Sequence, residues 1–372
     1  MIRIIKLGMD VHSTNYTICA VEPRIGEEPE VLFEIQVAPE LDNILAFIDK
    51  VKRHFKNDKL FITCGYEAGA LGFTLFHQLE ENNVNCVILA PSTMEVPGGI
   101  RIKTDHRDAY QIAKCLANGG YHPVFVPNED DEAIRDYIRM RDDHCKAWKQ
   151  NKQQIGAFCM RHGHIYKKEK WTQTHLKWLE SLDMGTVNNE TLKQYLITYR
   201  FFEERVKYFD TMIEEFAAKD AYREKVSKLC CFLGIRTRTA LSFVVETGDF
   251  NRFKKASQYS AFLGMVPGED SSSDNINRKG ITKAGNSHLR RLLIESSQGI
   301  CKGRIGYKSK DLKARQLRNS PEVIAYADKA NRRLRQKYYR MIFKGKQRNT
   351  CVTAIARELS CFIWGMMTDN IA

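Results

Sequence analysis

Three extended runs precede the first helix of this chain, and that order constrains the fold more tightly than any other feature of the sequence. Residues 2–9 form an apolar run that leads into Asp10, residues 11–15 read as a turn, and Tyr16–Glu22 returns as a second strand. Val31–Val37 supplies the third. Apolar residues then recur at helical spacing at Leu41, Leu45, Ile48, Val51 and Phe55. Leu60–Tyr66 is a buried-type strand ending at Glu67, Leu71–Asn82 a helix, and Val84–Leu89 a strand stopped by Pro91. A last amphipathic helix runs through Ile112 and Leu116 to Gly119-Gly120. A hairpin pair and a third strand ahead of any helix open a mixed α/β sheet, because parallel neighbours need a long crossover between them.

This order, βββαβαβα, is that of an RNase H-like domain, and the carboxylates fall where such a sheet gathers its chemistry. Asp10 closes the first strand, the natural sheet centre, and Glu67 closes the fourth, its expected neighbour. Lys103-Thr104-Asp105-His106-Arg107-Asp108-Ala109 opens the last helix with two acids three residues apart, on one helix face. Alone, that pair does no more than complement the helix dipole. Together with Asp10 and Glu67 it makes four carboxylates at one sheet end, which repel one another unless cations lie between them. Hard oxygen ligands of this kind suit Mg²⁺ or Mn²⁺. Two ions about 4 Å apart stabilise both the attacking and the leaving oxygen in phosphodiester cleavage.

A chain of 372 residues exceeds one ordinary core and predicts two or three domains. The net charge of +13 points to a polyanion partner, DNA or RNA, and it is unevenly spread. Arg278–Arg348 holds 21 Lys and Arg against four acids, so the positive charge sits in the C-terminal part. The 11 cysteines are scattered without a C-x-x-C pair, which fits a reducing cytoplasm and excludes a disulfide framework. The N-terminus reads at once as a strand with no signal-peptide pattern, and the apolar tail around Phe362-Ile363-Trp364 is far below membrane-span length. A cytoplasmic protein with no membrane partner is expected.

After residue 127 the texture becomes helical. Residues 129–162 are long-helix material, and a second run over about Thr191–Leu229 carries Leu192, Tyr195, Tyr199, Phe202, Val206, Phe209, Ile213 and Phe216 in steps of three and four. That is the seam of a coiled coil. With the basic, Trp-containing connector between them, residues 128–228 predict an antiparallel coiled-coil arm for dimerisation, spacing or nucleic-acid contact. Residues 229–372 predict a mostly helical C-terminal domain. The Gly234-Ile235 turn either caps a helix or exposes N–H groups to a phosphate. Ser271-Ser272-Ser273 precedes a cationic, glycine-punctuated segment containing Arg278, Lys279, Lys283, Arg290 and Arg291, and a further basic helix carries Arg332, Arg333 and Arg335. These are the candidate phosphate contacts. A serine beside such a segment is either a solvated turn residue or a hydroxyl directed at phosphate.

Five motifs in order then resemble one family. They are Gly8-Met9-Asp10-Val11-His12, Tyr66-Glu67-Ala68-Gly69, the Lys103–Ala109 stretch, Gly264-Met265-Val266-Pro267 and Gly280-Ile281-Thr282-Lys283-Ala284-Gly285-Asn286. The chain resembles, over nearly its whole length, the DEDD-type transposases of bacterial insertion sequences, the insertion-sequence one-ten family. That resemblance implies a RuvC-like N-terminal domain over 1–127 whose metal ligands are Asp10, Glu67, Asp105 and Asp108. It further implies a C-terminal transposase domain supplying a nucleophilic serine, a bridge RNA that pairs with target and donor DNA, and a homo-oligomer, dimer or tetramer. By the family register the serine is Ser272, with Ser271 the alternative, since serine stands here where the family's glycine is expected. Two other functions use the same residues: a metal-dependent endonuclease of branched DNA that attacks with water, and an inactive RNA-binding scaffold.

Overall fold

Ile5, Leu7 and Met9 of β1 (Ile2–Val11) are wholly buried, while the even-numbered residues between them face the other side of the sheet. The odd set packs with Ile44, Phe47, Ile48 and Val51 beneath the sheet. In the computed structural model, which describes residues 1–94, 104–270 and 277–371, this strand is the centre of the first of two compact units, Met1–Val126 and Pro127–Ala372.

The first unit continues with β2 (Tyr16–Glu22), β3 (Glu30–Val37), α1 (Leu41–His54), β4 (Lys59–Glu67), α2 (Thr74–Glu81), β5 (Cys86–Leu89) and α3 (Asp105–Asn118). The strand order is β3-β2-β1-β4-β5. β2 runs antiparallel to both β1 and β3, whereas β4 is parallel to β1 and β5 is parallel to β4. This is the mixed RNase H-like sheet. The register sets Met9 beside Tyr66, so the next residues, Asp10 and Glu67, lie at the same end of neighbouring strands.

α3 crosses the face opposite α1, and Gly8 is what lets it lie close. A Cβ on Gly8 would stand 2.2 Å from both Ala109 O and Ala113 N, so only glycine fits there. Ala109 and Ala113 pack with Cys19 and Val21 of β2. That contact fixes where the helix begins, one turn earlier, at Asp105. Gly8→Ala is therefore expected to cost about 1–3 kcal/mol by overpacking and to weaken Mn²⁺ binding at the sheet end. Urea melts and Mn²⁺ titration would check both, and a variant with wild-type values for each would disprove the role given to this glycine.

The second unit opens with α4 (Glu129–Arg161), α5 (Gln173–Glu180) and α6 (Thr186–Ala218). Tyr137 contacts Phe209 and Phe216 edge-on at 5.7 and 5.1 Å, and Phe158 lies 5.9 Å from Tyr195, so α4 and α6 run antiparallel. The expected second run is interrupted: α6 ends at Ala218, Lys219 is extended (ψ 147°), and α7 (Asp220–Leu229) starts afresh. No glycine or proline announces that break. It turns Tyr222, Val226 and Leu229 into the core shared with Phe232, Phe243 and Ile355. Ile134, Ile138 and Ile213 of the long helices join the same core, so residues 128–228 and 229–372 are packed together at this end.

The chain continues through α8 (Thr237–Thr247), α9 (Ala256–Phe262), β6 (Pro267–Glu269), β7 (Arg278–Ile281), α10 (Ser287–Ile300), α11 (Lys310–Gln316), α12 (Pro321–Phe343) and α13 (Arg348–Met367). Residues 250–262 are divided into a 3-10 turn at Phe250–Arg252 and α9, because Phe253 is extended and packs on Tyr259 and Phe262. Two glycine motifs read separately in the sequence form one backbone junction. Lys283 N donates to Gly264 O at 3.1 Å, Asn286 N donates to Phe262 O at 3.0 Å, and a Cβ on Gly285 (φ +118°) would fall 2.1 Å from Phe262 O. The junction aligns β6 with β7 as an antiparallel pair. Among the described residues no helix is long and apolar enough to cross a membrane.

Candidate functional site

Asp10 is the penultimate residue of β1 and faces α3 with Gly8, by strand alternation. Its side chain is 15% exposed, and Oδ2 is buried. That oxygen lies 3.2 Å from His12 Nε2 but without hydrogen-bond geometry, so it is a buried acceptor with no hydrogen bond among the described residues. Burial raises the pKa of Asp10, and the nearby charges of Asp108 and Asp105 raise it further against the opposing pull of His12.

Asp105 begins α3 after Thr104, whose Oγ1 accepts from Arg107 N at 3.4 Å as the helix cap. Asn15 Nδ2, from the β1–β2 turn, and Gln36 Nε2, from β3, each donate to Asp105 Oδ2 at 3.3 Å. The next residue, His106, pairs with Glu34 at 2.8 Å. Ligand atoms of Asp10, His12 and Asp105 all lie within 4.8 Å of one another, the one such group among the described residues that could hold a metal ion. Glu67 and Asp108 are not in that cluster: Glu67 is exposed at the end of β4, and Asp108 is half-buried one turn into α3.

These residues fit a divalent cation. The buried, unbonded oxygen of Asp10 is costly as it stands, and a cation between it and Asp105 would satisfy it. Two carboxylates with one imidazole form a donor set that suits Mn²⁺ as well as Mg²⁺. His12 and the two amides holding Asp105 went unassigned in the sequence reading. The spacing Asp10-x-His12 carried the signal for His12, since i and i+2 share a strand face, whereas nothing local marks Asn15 or Gln36.

Ser271 and Ser272 lie outside the described residues, as does the side chain of Arg278. Of the other basic candidates, Lys283 (φ +58°) and Arg332 are exposed. Lys279 pairs with Asp270 at 2.6 Å and Arg333 with Glu358. Arg290 is half-buried and donates to Leu263 O at 3.0 Å. Arg335 corrects the sequence reading. It is 5% exposed, and its guanidinium donates to Ile300 O at 2.9 Å and Arg304 O at 2.5 Å, so it holds backbone and not phosphate.

Arg291 belongs to a second buried charge cluster that the sequence reading missed. His288 stands between two carboxylates, Nδ1 2.5 Å from Glu246 and Nε2 3.1 Å from Asp142. Arg238 reaches Asp142 at 2.9 Å, Arg291 also pairs with it, and Arg139 forks onto Glu246 at 3.3 and 3.2 Å. Asn286 Nδ2 donates to Glu246 at 2.7 Å while its Oδ1 caps α10. Burial pushes Glu246 upward, but His288 and Arg139 outweigh it and hold the carboxyl at about 2. Asp142 is likewise held below the usual carboxylate range, by His288, Arg238 and Arg291 against burial. Burial lowers His288, and its two carboxylates more than reverse that. The cluster joins α4, α8 and α10 at the junction from which β6 and β7 extend.

An RNase H-like sheet with carboxylates converging at one end defines a class, proteins built like metal-dependent nucleases. The comparisons narrow it. A family model described as a transposase of the DEDD, IS110 type matches residues 7–161, and the model for the transposase IS116/IS110/IS902 family matches residues 227–312. The protein y4qE of Sinorhizobium fredii, named as a transposase, is 32% identical over 365 residues, covering 98% of this chain and 88% of its own. The transposase for insertion sequence element IS1533 of Leptospira borgpetersenii is 32% identical over 355 residues, covering 93% of this chain and 99% of its own. A solved structure of Thermus thermophilus RuvC aligns with 32% of this chain at 14% identity and a TM-score of 0.24, too low a score to bear on the fold. The chain belongs to the IS110 family of transposases.

Proposed function

We propose that this transposase cuts and rejoins the DNA ends of its own insertion sequence by metal-assisted, serine-mediated strand cleavage and exchange. The observation that carries the reading is the buried, unbonded Oδ2 of Asp10 set beside Asp105 and His12, in a chain related to transposases along its length. Asp10, Asp105 and His12 would hold a first Mg²⁺ or Mn²⁺, and Glu67 and Asp108 would be the carboxylates left to serve a second. When bound, the cation polarises the scissile phosphate and stabilises charge on its oxygens. Asn15 and Gln36 orient Asp105 for that task, as hydrogen bonds behind a metal ligand generally do.

Ser272, or Ser271 by the neighbouring register, attacks phosphorus through Oγ. Its proton passes to solvent, the P–O bond to the departing DNA strand breaks, and the phosphoserine link conserves the bond for rejoining. The Glu246–His288–Asp142 cluster steadies the junction that carries the serine segment between β6 and β7. Element-encoded guide RNA, a dimer or tetramer, and a coiled-coil arm over 128–228 complete the proposal, acting in the cytoplasm.

Trapping a covalent DNA–protein adduct tests it. The wild-type chain is expected to form one, Ser272→Ala to lose it, and Ser271→Ala to keep it. An adduct undiminished in both single variants and in the double variant would refute the serine step and favour water attack.

A further inference from the structure

The segment between α10 and α11, residues 301–309, has no regular structure, yet it is held along one side of α12. Arg335 donates to Ile300 O and Arg304 O from its buried guanidinium, Tyr339 Oη donates to Gly303 O at 2.7 Å, and Lys308 pairs with Asp328. Residues 308, 304 and 303 thus meet positions 328, 335 and 339, so the segment runs antiparallel to α12 along about 16 Å of its axis. Gly303 and Gly306 sit at φ +86° and +76°, turns that side chains disfavour.

This anchored segment displays apolar groups outward. Ile305 is 47% exposed and Tyr307 66%, and Phe343, one turn past Tyr339 on the same helix face, is 94% exposed. Scattered exposed apolar residues are ordinary. Here Tyr307 stands at the Asp328 end of the loop–helix seam and Phe343 one turn beyond its Tyr339 end, roughly 20 Å apart along α12, with a buried arginine fixing the backbone between them. The surroundings are strongly cationic: Lys302, Arg304, Arg340 and Lys344 flank the rings in sequence, and the acids of this stretch, Asp328 and Glu358, are each paired with lysine or arginine.

Free aromatic faces among cations match a polyanion with unpaired bases. A duplex buries its base faces and offers chiefly phosphates and groove edges, whereas a single strand gives both phosphates and stackable rings. We propose that this surface is a stacking platform for a single DNA strand, with bases on Tyr307 and Phe343 and phosphates on the flanking cations. The proposal rests on the reading of the chain as an enzyme that separates and exchanges DNA strands.

The test uses the full chain in EDTA, so that binding is measured without cleavage. Affinities for labelled single-stranded DNA, RNA of the same sequence and duplex DNA are compared at one salt concentration. Tyr307→Ala/Phe343→Ala is expected to weaken single-stranded DNA binding about tenfold or more, with duplex affinity and melting temperature unchanged. Tyr307→Trp/Phe343→Trp should retain it. Unchanged single-strand affinity in the alanine variant, an equal loss on duplex, or a tenfold wild-type preference for RNA would each overturn the platform. Mg²⁺-dependent excision by the wild-type chain is scored separately; its absence would sink the transposase reading while the EDTA comparison still judged the platform.

Discussion

Asp10→Asn is expected to reduce cation-dependent excision of the element at least about 10³-fold, corresponding to the loss of roughly 4 kcal/mol of charge stabilisation. Asparagine keeps the volume of aspartate, so the strand end and its register survive while the anionic oxygen is lost. Asp105→Asn should match it, because Oδ2 of Asp105 is already oriented by Asn15 and Gln36. His12→Ala should fall less, by about 10–100-fold, as loss of a neutral donor beside two charged ones. A plasmid excision assay with Mg²⁺ and with Mn²⁺, paired with Mn²⁺ titration by electron paramagnetic resonance, reads activity and occupancy together. Wild-type Mn²⁺ affinity in Asp10→Asn would refute the cation site.

Glu246→Gln is expected to destabilise the second unit by about 1–3 kcal/mol, because it removes the charge of a buried carboxylate that His288 and Arg139 both contact, while His288 keeps Asp142. The same cluster sets a pH profile. The carboxyl of Glu246 is depressed from 4.5 to about 2, so its stabilisation is complete above about 4.5 and is lost as pH falls toward about 2. Asp142 acts in the same direction. His288 is raised above 6.5, so its contribution is complete below about 6.5 and is lost as pH rises through the higher folded-state value. Stability from this cluster should peak between about pH 4.5 and 6.5, and urea denaturation across pH measures it. Glu246→Gln should flatten the acid side, and a variant retaining the full acid dependence would place its origin elsewhere.

Much of the first unit was legible because its signals are local. Alternation in residues 2–9 and helical spacing in 41–55 reflect burial of one face, and the order of elements leaves few ways to pair the strands. The strand ends at Asp10 and Glu67 and the helix start at Asp105 follow from the same reading. The long helices were legible too, although the break at Lys219 was not, because packing of Tyr222, Val226 and Leu229 drives it and no residue at the break forbids a helix.

By itself, then, the sequence determined which elements form, which acids end them and where positive charge accumulates. Only the tertiary structure decided which of those groups meet. It set Asp10 and Asp105 with His12, left Glu67 and Asp108 outside that cluster, and sent Arg335 inward to hold the 301–309 segment. It also brought Glu246 to Arg139, 107 positions away, and His288 to Asp142, 146 positions away. The physical reason is range. Periodic burial is written over a few neighbouring residues, whereas the partner of a buried charge is set by how distant helices pack, and no local pattern encodes that.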